Sequence, residues 1–67
     1  MTPEGQGPGD IVQKLRHDLA NPLAAVLAET QLLLLAPENL NAETLAGLKQ
    51  IETLARRMRQ ILQDLGP

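Results

Sequence analysis

The run Leu32-Leu33-Leu34-Leu35-Ala36-Pro37-Glu38-Asn39-Leu40-Asn41-Ala42-Glu43 divides the chain in two. A proline cannot continue a helical ladder, so a helix arriving from the N-terminal side ends at about Leu35 or Ala36. Asn41 has the side chain of a good N-cap for a second helix. Leu40 at N′ and Leu45 at N4 are placed for a hydrophobic staple, and Glu43 in the first turn complements the helix dipole. Two helices joined by so short a link turn back on each other as an antiparallel hairpin.

Reading backwards from this link, helix 1 is expected over residues 11–36. Asp10 is its expected N-cap, with Gln13 at N3 completing a capping-box-like pair. Its apolar seam is Val12, Leu15, Leu19, Pro22, Val26 and Leu33, near the 3-4 spacing of a bundle, and Ile11, Leu23, Leu27 and Leu34 widen it. Glu29 occupies a position where this spacing wants an apolar residue. Reading forwards, helix 2 is expected over residues 42–65. Its seam of Leu48, Ile51, Ala55, Met58, Leu62 and Leu65 alternates steps of three and four, and Gly66-Pro67 is a stop signal. Residues 1–9 hold three glycines and two prolines without periodicity and read as a disordered leader or linker.

The chain has 67 residues, no cysteine and no aromatic residue. It is one domain or a piece of one, with an aliphatic core that no disulfide or thiolate-bound metal braces. A core of this size rarely supplies more than about 3–5 kcal/mol of net stability, which favours oligomerisation as a source of further burial. Leu32 to Leu35 present apolar surface over more than one face, more than a single hairpin covers. The expected fold is therefore all-α, an antiparallel helical hairpin that dimerises into a four-helix bundle. An extended coiled coil fits poorly with Pro22 and with the break at Pro37. Six basic and eight acidic side chains leave a net charge of −2. A nucleic-acid binder of this size would show a basic excess and stacking aromatics. No apolar run reaches the ~20 residues of a membrane span, because Glu29, Thr30 and Gln31 interrupt the richest stretch, so no direct membrane contact is expected.

Within helix 1, His17-Asp18-Leu19-Ala20-Asn21-Pro22-Leu23 holds the only histidine of the chain, with a carboxylate next to it and an amide four residues on. Pro22 costs a helix roughly 3 kcal/mol or more, removes the partner of the Asp18 carbonyl and permits a bend just after the histidine. Helical geometry puts Asn21 about 40° round from His17 and Asp18 about 100° round, so the three share a solvent-facing patch. A neutral imidazole can act as a nucleophile through one nitrogen while a carboxylate holds the proton on the other. Taken alone, each residue also has an ordinary reading. A lone helical histidine is commonly a surface residue, Asp18 beside Lys14 and Arg16 is commonly surface charge, and Asn21-Pro22 can mark a helix end that separates residues 10–20 from 23–36. The apolar spacing that continues through Leu19, Leu23, Val26 and Leu27 argues against that break.

The segment from His17 to Val26 resembles the H-box of sensor histidine kinases, in which a histidine and an acidic residue precede a Thr/Asn-Pro-Leu triplet early in the first helix of a dimerisation and phosphotransfer domain. The resemblance extends from Asp10 to Leu65 through the hairpin pattern. It implies that His17 is the phosphoacceptor, taking the ATP γ-phosphoryl on Nε2, that Asp18 activates and orients the imidazole as a general base, and that Asn21 positions water for dephosphorylation of the response regulator. Ala20 departs from the basic residue often found at its position. The implied partners are a second copy of the chain, the receiver domain of a response regulator and the ATP-binding domain of the parent kinase, which would bind ATP and Mg. No glycine-rich phosphate loop or Walker lysine is present here, so the chain is expected to be inactive alone and to act as a protein-histidine kinase only as part of an intact parent. The resemblance also implies a cytoplasmic domain, with membrane anchoring of the parent left open. No metal site is expected.

Folding the hairpin about residues 38–39 brings His17 level with roughly Gln60. Arg56, Arg57 and Arg59 then lie near its height, either as a solvated face or as an electropositive rim for ATP phosphates or an acidic receiver domain. Two alternatives to the kinase-domain reading remain: a stand-alone histidine phosphotransfer protein, and a purely structural dimerisation hairpin.

Overall fold

The computed structural model describes residues 8–65. Helix α1 runs from Pro8 to Leu34, and helix α2 from Ala42 to Gln63. A single 3-10 turn, Pro37–Asn39, joins them. The expected antiparallel hairpin is the fold that forms, and no strand occurs among the described residues. The link closes with short-range bonds. Leu35 N–H donates to the Leu32 carbonyl at 3.2 Å, and Asn39 and Leu40 donate to Ala36 and Pro37 at 3.0 and 3.1 Å. Asn41 caps α2, its Oδ1 accepting from the Thr44 N–H at 2.7 Å. Both members of the expected staple, Leu40 and Leu45, are half-buried.

The N-terminus differs from the expectation. Helix α1 already includes Pro8 and Gly9, so Asp10 lies in its first turn rather than at the cap. Proline suits the first positions of a helix, where its missing N–H has no intrahelical role, and Asp10 then acts as a negative charge near the positive helix end. The leader reading of residues 1–7 and the stop signal at Gly66-Pro67 lie outside the described residues.

The packed seam is narrower than the apolar pattern suggests. Leu27, Thr30 and Ala55 are the buried side chains, at 5 %, 5 % and 4 % exposure. Ala20, Leu23 and Leu34 of α1 and Leu48 and Leu62 of α2 are half-buried around them. Thr30 is accommodated because its hydroxyl donates to the Val26 carbonyl at 2.7 Å, within its own helix. Gln31 Nε2 donates across the hairpin to Glu52 Oε2 at 3.4 Å, and Arg56 Nη2 shares the same carboxylate oxygen at 3.3 Å.

This seam corrects the expected one. Leu15, Leu19, Val26 and Leu33 of the expected helix 1 seam are about half exposed, as are Ile51, Met58 and Leu65 of the helix 2 seam. Taking Leu27 as the inward direction of α1, Leu19, Val26, Leu15 and Leu33 lie about 80–120° to one side at 100° per residue. On α2, relative to Ala55, Met58, Leu65, Leu54 and Ile61 lie about 60–120° to the same hand. Turning one helix over to run antiparallel brings equal hands to one broad side. The hairpin therefore has an apolar flank of Ile11, Leu15, Leu19, Val26, Leu33, Ile51, Leu54, Met58, Ile61 and Leu65, each 44–54 % exposed. Glu29, about 160° from Leu27, sits at the outer edge of that flank and is exposed. It does not interrupt the packed seam, which passes through Thr30.

Leu27→Ala should lower the unfolding free energy by about 2–5 kcal/mol, whereas Leu35→Ala, at a position 77 % exposed, should change it by under about 0.5 kcal/mol. Denaturant titration followed by circular dichroism checks the contrast.

Candidate functional site

His17 projects from the other flank. It lies about 80° from Leu27 in the direction opposite to Leu19, and Asn21 follows at about 120°. The His17 side chain is 76 % exposed. Its Nδ1 lies 3.9 Å from Asp18 Oδ1, too far for a hydrogen bond, and this leaves Nε2 on the side of the ring away from the carboxylate. The other Asp18 oxygen, Oδ2, accepts a 2.7 Å hydrogen bond from Lys14 Nζ. That bond and the ammonium charge hold the Asp18 carboxyl below its ordinary range, with His17 adding a smaller electrostatic contribution. The same pairing raises Lys14. Asp18 is therefore an anion at neutral pH, one oxygen occupied by Lys14 and the other facing the imidazole.

An open hollow of about 460 Å³ lies beside the histidine. Its walls include Arg16, His17, Ala20 and Asn21 from α1 and Arg59 and Gln63 from α2, over Leu23, Leu27 and Leu62. The structure thus brings His17 and Asn21 to one surface. Asp18 is next to the ring but does not line the hollow. Of the three arginines expected at the height of the histidine, only Arg59 reaches it. Arg56 is paired with Glu52, and Arg57 is exposed elsewhere. Gln63 also lines the hollow from α2, and with Arg59 it brackets the expected level of His17 near Gln60. Gln60 points about 140° away from the Ala55 direction, and its amide bonds Asp64 at 3.0 Å.

Pro22 does not end α1, which continues through it to Leu34. Its ring lies on the apolar flank, in a trough with Leu19, Val26, Met58 and Ile61. The motif is split by the helix: His17 and Asn21 face one side and Pro22 the other. Arg16 and Gln63 are wall residues that the motif alone does not indicate. Arg16 is findable by extending the inward row Leu27, Leu23, Ala20 backwards by four, and it is half-buried there.

The family model of the His Kinase A (phospho-acceptor) domain matches residues 9–65. The chain belongs to that family. The match spans the H-box segment, the link and both helices, so this is a phosphoacceptor-type domain of the histidine kinases with its helical hairpin intact. No curated protein and no solved structure matches the chain. No described helix of this domain is long and apolar enough to cross a membrane, and no cluster of metal-ligating side chains occurs among the described residues.

Removing the cation that holds Asp18 down should let its carboxyl titrate higher. In Lys14→Met the Asp18 midpoint, followed by carbon-detected NMR between pH 2 and 6, should move up towards the ordinary carboxylate value. An unchanged midpoint would mean that Lys14 is not its partner in solution.

Proposed function

We propose that this chain is the dimerisation and phosphoacceptor domain of a two-component sensor histidine kinase, with His17 as the residue phosphorylated. The observation that carries this reading is the placement of the only histidine. It falls inside the matched residues, stands 76 % exposed, and lies on the flank opposite the apolar one. A second copy covering the apolar flank makes a four-helix bundle and leaves both histidines open to solvent.

In the reaction, the lone pair of His17 Nε2 attacks the γ-phosphorus of ATP. The bond from phosphorus to the bridging oxygen breaks, and ADP leaves with the electron pair. Asp18, ionised and beside Nδ1, stabilises the proton that stays on that nitrogen as the ring becomes positive. The imidazole–carboxylate separation of 3.9 Å shortens by side-chain rotation as that charge develops. The ATP and Mg are held by the ATP-binding domain of the parent kinase, and the phosphoryl group then passes to an aspartate of a response-regulator receiver domain. Asn21, one helical turn on, is placed to orient the water that dephosphorylates the regulator. The need for ATP makes the cytoplasm the site of the reaction.

The chain incubated with a histidine-kinase ATP-binding domain, Mg and γ-labelled ATP should acquire label that is acid-labile and alkali-stable, and His17→Gln should acquire none. Equal labelling of His17→Gln, or no labelling of the wild-type chain, would contradict the assignment.

A further inference from the structure

The hollow beside His17 differs in charge from the rest of the chain. The chain carries a net charge of −2, yet among the described residues no carboxylate lines the hollow, and the permanently charged side chains that do, Arg16 and Arg59, are both cations. Arg59 is the informative one, because it comes from α2, the helix without the nucleophile. Arg56, almost one turn earlier, is held by Glu52 at 3.3 Å. Arg59 makes no ion pair or side-chain hydrogen bond among the described residues. Ala20 ends at Cβ and leaves open space between Arg59 and the His17–Asn21 wall, and the leucine floor provides a low-dielectric backing that strengthens a charge interaction made above it.

We propose that Arg59 is a catalytic residue that binds the phosphoryl oxygens at His17 from across the hairpin. The proposal rests on His17 being the acceptor. The transferred group keeps its negative oxygens while the bond to Nε2 forms and the bond to the leaving group breaks, so a cation placed beforehand lowers the barrier without reorganisation. The planar guanidinium offers two parallel donors to two of those oxygens, a match that a lysine does not reproduce. The site then belongs to both helices, and its reactivity depends on the hairpin being closed.

The test uses phosphoramidate, a small phosphoryl donor that needs no second protein and releases ammonia as the N–P bond to His17 forms. Wild type, Arg59→Gln, Arg59→Lys and the charge-matched Arg57→Gln are followed by phosphorus NMR. Arg59→Gln should form phosphohistidine about ten- to a hundredfold more slowly, with Arg59→Lys between it and the wild type and Arg57→Gln within about twofold of the wild type. The phosphohistidine of Arg59→Gln should also take up its proton at higher pH, because a neighbouring cation favours the more negative form. Arg59→Gln matching Arg57→Gln in both rate and titration would overturn the role of Arg59 alone. A wild-type chain that forms no phosphohistidine would overturn the acceptor assignment as well.

Discussion

The close approach of α1 and α2 along a narrow seam is the constraint on which the rest depends. Leu27, Thr30 and Ala55 are the only buried side chains among the described residues. Two of the three are small, which lets the helices come together without a wide apolar core. Thr30 fits such a seam because its hydroxyl is satisfied within α1. The Gln31–Glu52 bond, shared with Arg56, adds a polar tie beside it. The bond ties α1 to α2 at one height of the hairpin. That register brings Arg59 and Gln63 to the wall facing His17.

A narrow seam leaves two flanks uncovered, and the helical period gives them opposite characters. One gathers ten of the twelve large apolar side chains that are exposed among the described residues, each about half exposed. Covering one such side chain contributes on the order of 1 kcal/mol, so a second copy seated along the flank, as proposed, would add burial that the narrow seam leaves unmade. The other flank holds the histidine, the amide and two arginines around a hollow. Under the proposed function, association and chemistry fall on opposite sides of one helix, and a bundle assembled through the first flank would leave the second accessible to a nucleotide domain or a receiver. Pro22 sits on the apolar side of this division although it belongs to the same sequence motif as His17.

Much of this architecture was legible in the sequence. The link at Pro37, the cap at Asn41 and the two apolar helices follow from local chemistry, and the structure reproduces them. The H-box pattern led to His17, and the family match covers it. The facing of the rows was not legible. Helix 1 carries two rows of residues at bundle spacing with three leucines each, Leu23, Leu27 and Leu34 on the inner row and Leu15, Leu19 and Leu33 on the outer one. The inner row includes Arg16, Ala20 and Thr30, whose polarity or small size disguises it. Spacing alone does not say whether a row meets its own hairpin or another molecule. The α1 start was missed because Pro8 and Gly9 read as breakers, while proline is well tolerated in a first turn. The separation of Arg59 from Arg56 and Arg57 depends on which face of α2 turns inward, which Ala55 settles only once its burial is known.

The central claim is that the apolar flank is an interface with a second copy of the same hairpin, opposite an exposed His17. Sedimentation equilibrium of the 67-residue chain of 7.3 kDa at micromolar concentration tests it most directly. The account predicts a particle of twice the chain mass that dissociates when Leu19 and Met58 are both replaced by glutamate. A helical, cooperatively folded particle of one chain mass would contradict it.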